Sequence, residues 1–178
     1  MKQILVLCLA LLSQACLVSA FHPVYDNGSI VFDEALIGTW ENSDSQVTVA
    51  VSRADWRSYS VEYTERTTTT RFTAFLATAG SARVLNVRPA DGQDRAAFLV
   101  GTNGPLQVMV EGAEVRLREL DYDEVMARLE RRSLGIAATT DLRQNVVLTA
   151  ETPALRRWLV TALRDDRLWA EWKTLTRK

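Results

Sequence analysis

The sequence predicts a mainly β fold with helices, in which about eight antiparallel strands form a meander that closes into a barrel or curls into a sheet. Three observations predict this class. Apolar and polar residues alternate between Leu36 and Leu120, which is the two-residue period of strands with one solvated face. Turn-forming runs such as Ala90-Asp91-Gly92 separate the alternating segments. The period of an amphipathic helix appears from Tyr122 onward.

The alternation is clearest in the first half of the meander. Residues 46–51 place three valines on one face, and residues 58–63 place two tyrosines and a valine on one face. The segment 67–76 is rich in threonine and aromatic residues, which favours a strand. Because an open antiparallel sheet exposes unpaired edges, we expect these short strands to close into a barrel or to curl around a helix.

A helix is predicted over residues 122–131, directly after the meander. Asp121 precedes it as a capping residue, and four apolar side chains recur at the i, i+3, i+4, i+7 positions of one helical face. Two short strand candidates follow, over residues 135–139 and 145–149.

A C-terminal helix is predicted to begin near Thr152. Thr152 would cap it, and Pro153 would occupy its first position, where a missing N–H costs nothing. Apolar side chains at helical spacing, including Trp158, form its inner face. The apolar positions within residues 168–175 predict a further short helix.

The first residues of the chain predict an export signal. Lys2 is followed by the apolar run Ile4–Leu12, which is shorter than the ~20 residues that span a bilayer as a helix. A cationic start and a short apolar core are typical of a secretory leader.

Two processing sites fit this leader, and the sequence leaves both open. Cleavage after Val18-Ser19-Ala20 would release a soluble chain that begins at Phe21. Alternatively, the run Leu12-Ser13-Gln14-Ala15-Cys16 resembles a bacterial lipobox, in which Cys16 is acylated and becomes the first residue. Both cysteines, Cys8 and Cys16, lie in the leader, so the exported domain needs no disulfide.

The chain therefore divides into a leader, a lead-in and one domain. The leader covers residues 1–20, or 1–15 if Cys16 carries lipid; residues 21–35 form a lead-in or tether, and residues 36–178 form a single β-rich domain with C-terminal helices. We expect the protein in the cell envelope, either anchored to the membrane by lipid or periplasmic, and secreted in soluble form if cleavage follows Ala20.

Composition argues against several function classes. The 178 residues contain 21 Lys and Arg against 22 Asp and Glu, a net charge of -1 that offers no basic footprint for nucleic acid. One histidine and two cysteines are too few for a typical structural zinc site. The histidine, His22, lies in the lead-in, whereas a Ser-His-Asp triad needs a base held by a rigid scaffold. We therefore predict a non-catalytic protein without metal or cofactor.

The tripeptide Gly38-Thr39-Trp40 resembles the G-x-W start of lipocalin-type barrels. This resemblance implies a lipocalin-like barrel in which the tryptophan closes the floor and a later arginine packs on it; Arg116, Arg118 and Arg143 are the arginines considered for that role. The segment around His22-Pro23-Val24-Tyr25 also resembles a group of uncharacterised bacterial lipoproteins. That second resemblance implies acylation of Cys16 and implies no activity.

The leading functional hypothesis is an exported, lipid-anchored, non-catalytic envelope protein with a binding or structural role. One alternative is a lipocalin-like carrier of a small apolar ligand. The aromatic residues that would line its cavity, or otherwise fill a core, are Trp40, Trp56, Tyr59, Tyr63 and Phe72. Another alternative is a protein-interaction module that uses the tryptophans of the C-terminal helices, namely Trp158, Trp169 and Trp172.

Overall fold

The computed structural model describes residues 17–42, 45–90 and 102–178, so Cys8 and Cys16 lie outside the described residues. In chain order the strands are β1 (Val18–Ala20), β2 (Ile30–Val31), β3 (Gly38–Asn42), β4 (Val47–Arg53), β5 (Ser58–Glu65), β6 (Thr68–Ala79), β7 (Ala82–Pro89), β8 (Gly104–Glu111), β9 (Glu114–Glu119), β10 (Ala138–Thr140), β11 (Val146–Leu148) and β12 (Lys173–Arg177). The helices are α1 (Tyr122–Glu130) and α2 (Thr152–Ala162), and 3₁₀ turns cover Glu34–Leu36 and Asp166–Leu168.

Eight of the described strands form a closed antiparallel barrel, which confirms the predicted fold class. Strands β3 to β9 follow one another as a meander. The meander is continuous from β3 to β9, including the β6–β7 pair, and β12 closes the barrel by pairing with both β3 and β9. A further strand, β2, pairs with the end of β6 beyond β5. Closure leaves the barrel strands without the unpaired edges of an open sheet.

The origin of the eighth strand corrects the sequence analysis. We expected about eight strands before Leu120 and a short helix over residues 168–175, but the described meander supplies seven strands and β12 supplies the eighth. Instead of a helix, residues 168–175 contain the last residue of the 3₁₀ turn at Asp166–Leu168 and the first three residues of β12. The edges of β3 and β9 each present backbone groups that need partners, so pairing on both sides of Lys173–Arg177 outweighs its local helical period.

A second layer covers the outer wall of the barrel and contains both helices. It buries Val125 of α1 and Leu155 and Leu159 of α2 against Val84, an outward-facing residue of β7. Strands β1, β11 and β10 form a three-stranded sheet in this layer. Within the described residues, no helix is long and apolar enough to cross a membrane.

The helix starts agree only in part with prediction. Asp121 caps α1 as expected, because its carboxylate accepts a hydrogen bond from the Glu124 N–H at 2.9 Å. At α2, Glu151 occupies the cap position without a side-chain cap, and Thr152 is the first helical residue. The Thr152 hydroxyl instead donates to the Pro23 carbonyl at 2.9 Å. It therefore binds the N-terminal segment and does not cap the helix.

The N-terminal strand β1 is part of the folded body. Val18, Ser19 and Ala20 are at most 5% exposed, and β1 pairs in parallel with β11. The N–H groups of Ala20 and Asn103 each donate to the other's carbonyl at 2.8 Å. These contacts place residues 18–20 in the core.

The expected lead-in, residues 21–35, also belongs to the folded body. Val24 is 2% exposed, and its N–H donates to the fully buried Asn86 at 3.1 Å. Asn86 in turn donates to Asn103 at 2.9 Å. Because these amides satisfy one another in a buried setting, the chain leaving β1 is fixed to the barrel wall.

Candidate functional site

The floor of the barrel, the end that carries the 3₁₀ turn at Glu34–Leu36, is closed by Trp40. Its side chain is 1% exposed, and its indole N–H donates to the Leu36 carbonyl at 2.9 Å. Arg177 lies across the ring, with its guanidinium carbon 4.3 Å from the ring centroid. The same guanidinium donates to the carbonyls of Ala35 and Ile37, each at 2.9 Å. One arginine therefore joins the closing strand, the tryptophan and the turn below it.

Gly38 makes room for this arrangement. Its φ is +145°, and a Cβ added there would lie 2.5 Å from Nη1 of Arg177. A larger residue at Gly38 would displace the guanidinium from Trp40, which explains why a glycine stands two residues before the tryptophan.

The arginine partner of Trp40 differs from those considered. Arg116 and Arg118 face outward from β9 and pack on Trp172, at 5.8 and 4.5 Å from the ring centroid, while Arg143 lies in the turn between β10 and β11. Arg177 holds the position because β12 pairs it directly with Trp40. The alternation of Lys173-Thr174-Leu175-Thr176-Arg177 was the available sequence signal for that strand.

We expect the Arg177→Met variant to unfold at a lower urea concentration than the wild type, with a loss of about 1–2 kcal/mol. The change removes a cation–π contact at an exposed arginine and leaves two carbonyls without their donor. Arg143→Met, an equal loss of charge at an exposed turn, should change the free energy of unfolding by less than about 0.5 kcal/mol. Equal unfolding midpoints for the two variants would contradict the role of Arg177.

A second set of contacts completes the floor beneath Tyr59. Phe32 stacks on Tyr59 with ring centroids 4.7 Å apart. The Arg53 guanidinium carbon lies over the Phe32 ring, 4.2 Å from its centroid. The Asp33 N–H donates to the Tyr59 hydroxyl oxygen at 2.7 Å, and Asp33 also forms an ion pair with Arg83. Burial raises the pKa of Tyr59, so this phenol stays neutral over the physiological range.

The barrel interior changes in accessibility from floor to mouth, the mouth being the end that carries the β5–β6 turn. Directly paired residues of antiparallel strands share a face, so the register from Trp40 assigns the inward side chains of each strand. Next to the floor most of these side chains are buried, as are Tyr59, Ala74, Leu76, Val108 and Leu175, while Leu85 and Val110 are half-buried. Nearer the mouth most of them are half-buried, as are Val49, Tyr63, Phe72, Val87 and Leu117, while Val47 is buried. The upper interior is therefore apolar and partly accessible.

Polar side chains ring this apolar interior at the mouth. Lys173 on β12 forms an ion pair with Glu119 on β9 at 2.8 Å, and the Tyr63 hydroxyl donates to Glu65 at 3.3 Å. Burial and the negative charge of Glu65 raise the pKa of Tyr63, while Lys173 acts to lower it and Glu119 to raise it. The strand register turns all four side chains toward the barrel interior at the mouth. An adjoining depression of about 450 Å³ is lined by Tyr63, Glu65, Arg66, Thr67, Thr68 and Thr70.

The five predicted cavity residues fall into three places. Trp40 and Tyr59 belong to the packed floor, whereas Tyr63 and Phe72 line the accessible upper wall. Trp56 does neither, because it lies in the turn between β4 and β5 with 59% of its surface exposed. The inclusion of Trp56 among the cavity residues was therefore wrong: the alternation that directs β4 and β5 side chains inward ends before the turn.

The C-terminal tryptophans form no exposed patch. Trp169 is buried and its indole N–H donates to the Ala162 carbonyl at 2.9 Å. The indole N–H of Trp158 donates to the Leu134 carbonyl at 2.8 Å. Trp172 is half-buried beneath arginine side chains of β9. Trp158 and Trp169 pack in the second layer, and Trp172 packs against β9, so the three rings present no shared surface.

A groove of about 700 Å³ lies outside the barrel, between the end of α1 and α2. Trp158 and Arg157 line one side of it. On the other side Arg128 forms ion pairs with Glu124 at 2.7 Å and Asp165 at 2.8 Å. Hydrogen bonds from Arg167 and Arg128 lower the pKa of Asp165 to about 2. Arg128 and Asp165 are therefore paired with each other in the wall of the groove.

Within the described ranges, the acidic residues and the histidine form no cluster typical of metal binding. His22 lies 3.4 Å from Glu151 in an exposed pair. The described residues contain no group of three or more His, Cys, Asp or Glu side chains that could hold a metal ion. Comparison of the chain with protein families, with curated proteins and with solved structures finds no match in any of the three.

Proposed function

We propose that this protein is an exported, lipid-anchored, non-catalytic protein of the cell envelope whose barrel binds one small, mainly apolar molecule through its mouth. The observation that carries the proposal is the set of inward apolar side chains that stay half-buried above a closed floor. An eight-stranded barrel is just wide enough to be filled by side chains or to hold one small ligand. The accessible upper part favours the second use.

The lining suggests which part of the molecule would lie where. Phe72, Val87 and Leu117 would contact its apolar body, because they face the interior below the mouth. Glu119 and Lys173 at the rim would hydrogen-bond a polar end group, since they combine an acceptor with a donor at the opening. This lining and rim would suit an amphipathic small molecule that enters with its apolar end first.

The burial of β1 supports acylation of Cys16 over cleavage after Ala20. Cleavage after Ala20 would remove Val18 to Ala20, which are buried and paired with β11. Processing before Cys16 would keep the strand, and the acylated residue would directly precede Leu17. Acyl chains at that position would hold the barrel at a membrane surface.

The binding proposal is tested with an environment-sensitive naphthylamine probe and with native mass spectrometry of the processed protein. We expect the wild type to bind one probe molecule, and we expect Val87→Trp to weaken binding at least about tenfold, because the larger ring fills the upper interior. Thr69→Trp places the same ring on an exposed, outward position of β6 and should bind as the wild type does. Equal binding by both variants, or none by the wild type, would refute the proposal.

The anchor is tested separately by metabolic labelling with radioactive palmitate. Label should enter the wild type and be absent from Cys16→Ala, which should also accumulate with its leader attached. Unlabelled wild-type protein whose first residue is Phe21 would overturn the anchor and leave the binding proposal standing.

A further inference from the structure

The turn between β10 and β11 holds an apolar side chain in solvent. Leu142 is fully exposed, with a relative exposure of 104%, and Arg143 beside it is also exposed. The turn is well ordered by its own contacts: the Asp141 carboxylate accepts from the N–H groups of Arg143 and Asn145 at 2.8 and 2.9 Å. The Tyr122 hydroxyl donates to the Gln144 carbonyl at 2.8 Å. Leu142 is thus held outward by a fixed backbone.

The N-terminal strand begins beside this turn. Leu17 donates its N–H to Asn145 Oδ1 at 3.1 Å, and its carbonyl accepts from the Val146 N–H at 3.0 Å. Because β1 runs parallel to β11, the start of β1 and the β10–β11 turn lie at the same end of the three-stranded sheet. Leu17 is 47% exposed. Two exposed leucines and an exposed arginine therefore lie at the same end of this sheet.

We propose that Leu17, Leu142 and Arg143 form a membrane-facing edge that rests on the bilayer when Cys16 is acylated. The proposal depends on the acylation proposed above, since Cys16 directly precedes Leu17 and consecutive Cα atoms are about 3.8 Å apart. Acyl chains on that residue bring the edge to the headgroup region. There Leu142 meets the apolar boundary and Arg143 meets anionic headgroups.

A single exposed leucine would mean little elsewhere on a soluble surface, where scattered apolar residues are normal. Its position beside the anchor gives it significance. A tethered surface meets the membrane at high effective concentration, so a small contact suffices to orient the protein. The contact would turn the side of the barrel near β8, the strand that β1 contacts, toward the bilayer and leave β4, across the barrel, facing away.

The test places an environment-sensitive fluorophore at the edge. The chain after residue 16 contains no cysteine, so Leu142→Cys offers one labelling site in acylated protein, where the Cys16 sulfur is blocked. In vesicles of phosphatidylethanolamine and phosphatidylglycerol, the emission of the label should shift to shorter wavelength. Lipids that carry a nitroxide at the headgroup should quench it.

Thr67→Cys is the matched control, because Thr67 is exposed in the turn between β5 and β6, and β7 separates these strands from β8, the barrel strand that β1 contacts. The emission wavelength of a label at this position should be that of a fluorophore in water, both before and after reconstitution into vesicles. Water-like emission at residue 142, in protein shown by intact mass to be acylated and by flotation to be vesicle-bound, would overturn the membrane-facing edge alone. An intact mass without acyl chains would instead overturn the anchor, and this inference with it.

Discussion

A chain that ends at Trp172, without β12, is expected not to reach the native barrel. The truncation removes Leu175, which is 6% exposed, and the Arg177 contact with Trp40. It also leaves β3 and β9 with unpaired edges. Loss of a buried leucine alone costs about 2–5 kcal/mol, so the combined loss approaches the whole stability of a typical domain, about 5–15 kcal/mol. Far-ultraviolet circular dichroism and size-exclusion chromatography would report loss of the fold or association through the new edges.

Two point variants separate the contribution of the buried Leu175 side chain from that of the whole strand. Leu175→Ala keeps the strand and should lower the free energy of unfolding by about 2–4 kcal/mol. Thr176→Ala changes an exposed residue of the same strand and should have little effect. A truncated chain that remained monomeric and unfolded cooperatively at the wild-type urea concentration would show that β12 is not required for closure.

A chain that begins at Phe21 is expected to be less stable than one that begins at Leu17 by about 4 kcal/mol or more. Full burial of a side chain such as Val18 contributes about 1.5–3 kcal/mol. The backbone N–H and carbonyl of Asn103 would each lose a partner, at about 1–3 kcal/mol per buried group. Urea unfolding of the two chains, followed by tryptophan fluorescence, measures the difference.

The matched control for this comparison is Leu17→Ser in the longer chain, because Leu17 is exposed and its backbone contacts survive the change. We expect its unfolding midpoint to stay close to that of the parent chain. Equal midpoints for the chains that begin at Leu17 and Phe21 would remove the structural argument against cleavage after Ala20.

Much of the barrel could be predicted from local pattern. The inward valines of β4 and the inward tyrosines of β5 follow directly from a two-residue period. A ligand-contacting role for Tyr63 and Phe72 stays a prediction. Asp121 also caps its helix as predicted. Trp56 shows where this reasoning ends, because a turn residue has no strand period to direct its side chain.

The polar rim was not predicted at all. Tyr63 and Lys173 lie on strands more than a hundred residues apart in the chain, and only barrel closure turns them toward one space. No short motif marks such a pair, because each residue follows the ordinary alternation of its own strand. The same holds for Arg177, whose role depends on a pairing with Trp40 that no local spacing encodes.

Local pattern is enough to predict short antiparallel strands with an apolar inner face, and a first barrel strand that starts with Gly38-Thr39-Trp40. Three features depend on long-range pairing: the last strand closes the barrel, Arg177 covers Trp40, and residues 18–20 belong to the core. The physical reason is range: side-chain periodicity is set by neighbouring residues, whereas strand pairing is decided by which distant backbone edges remain unsatisfied.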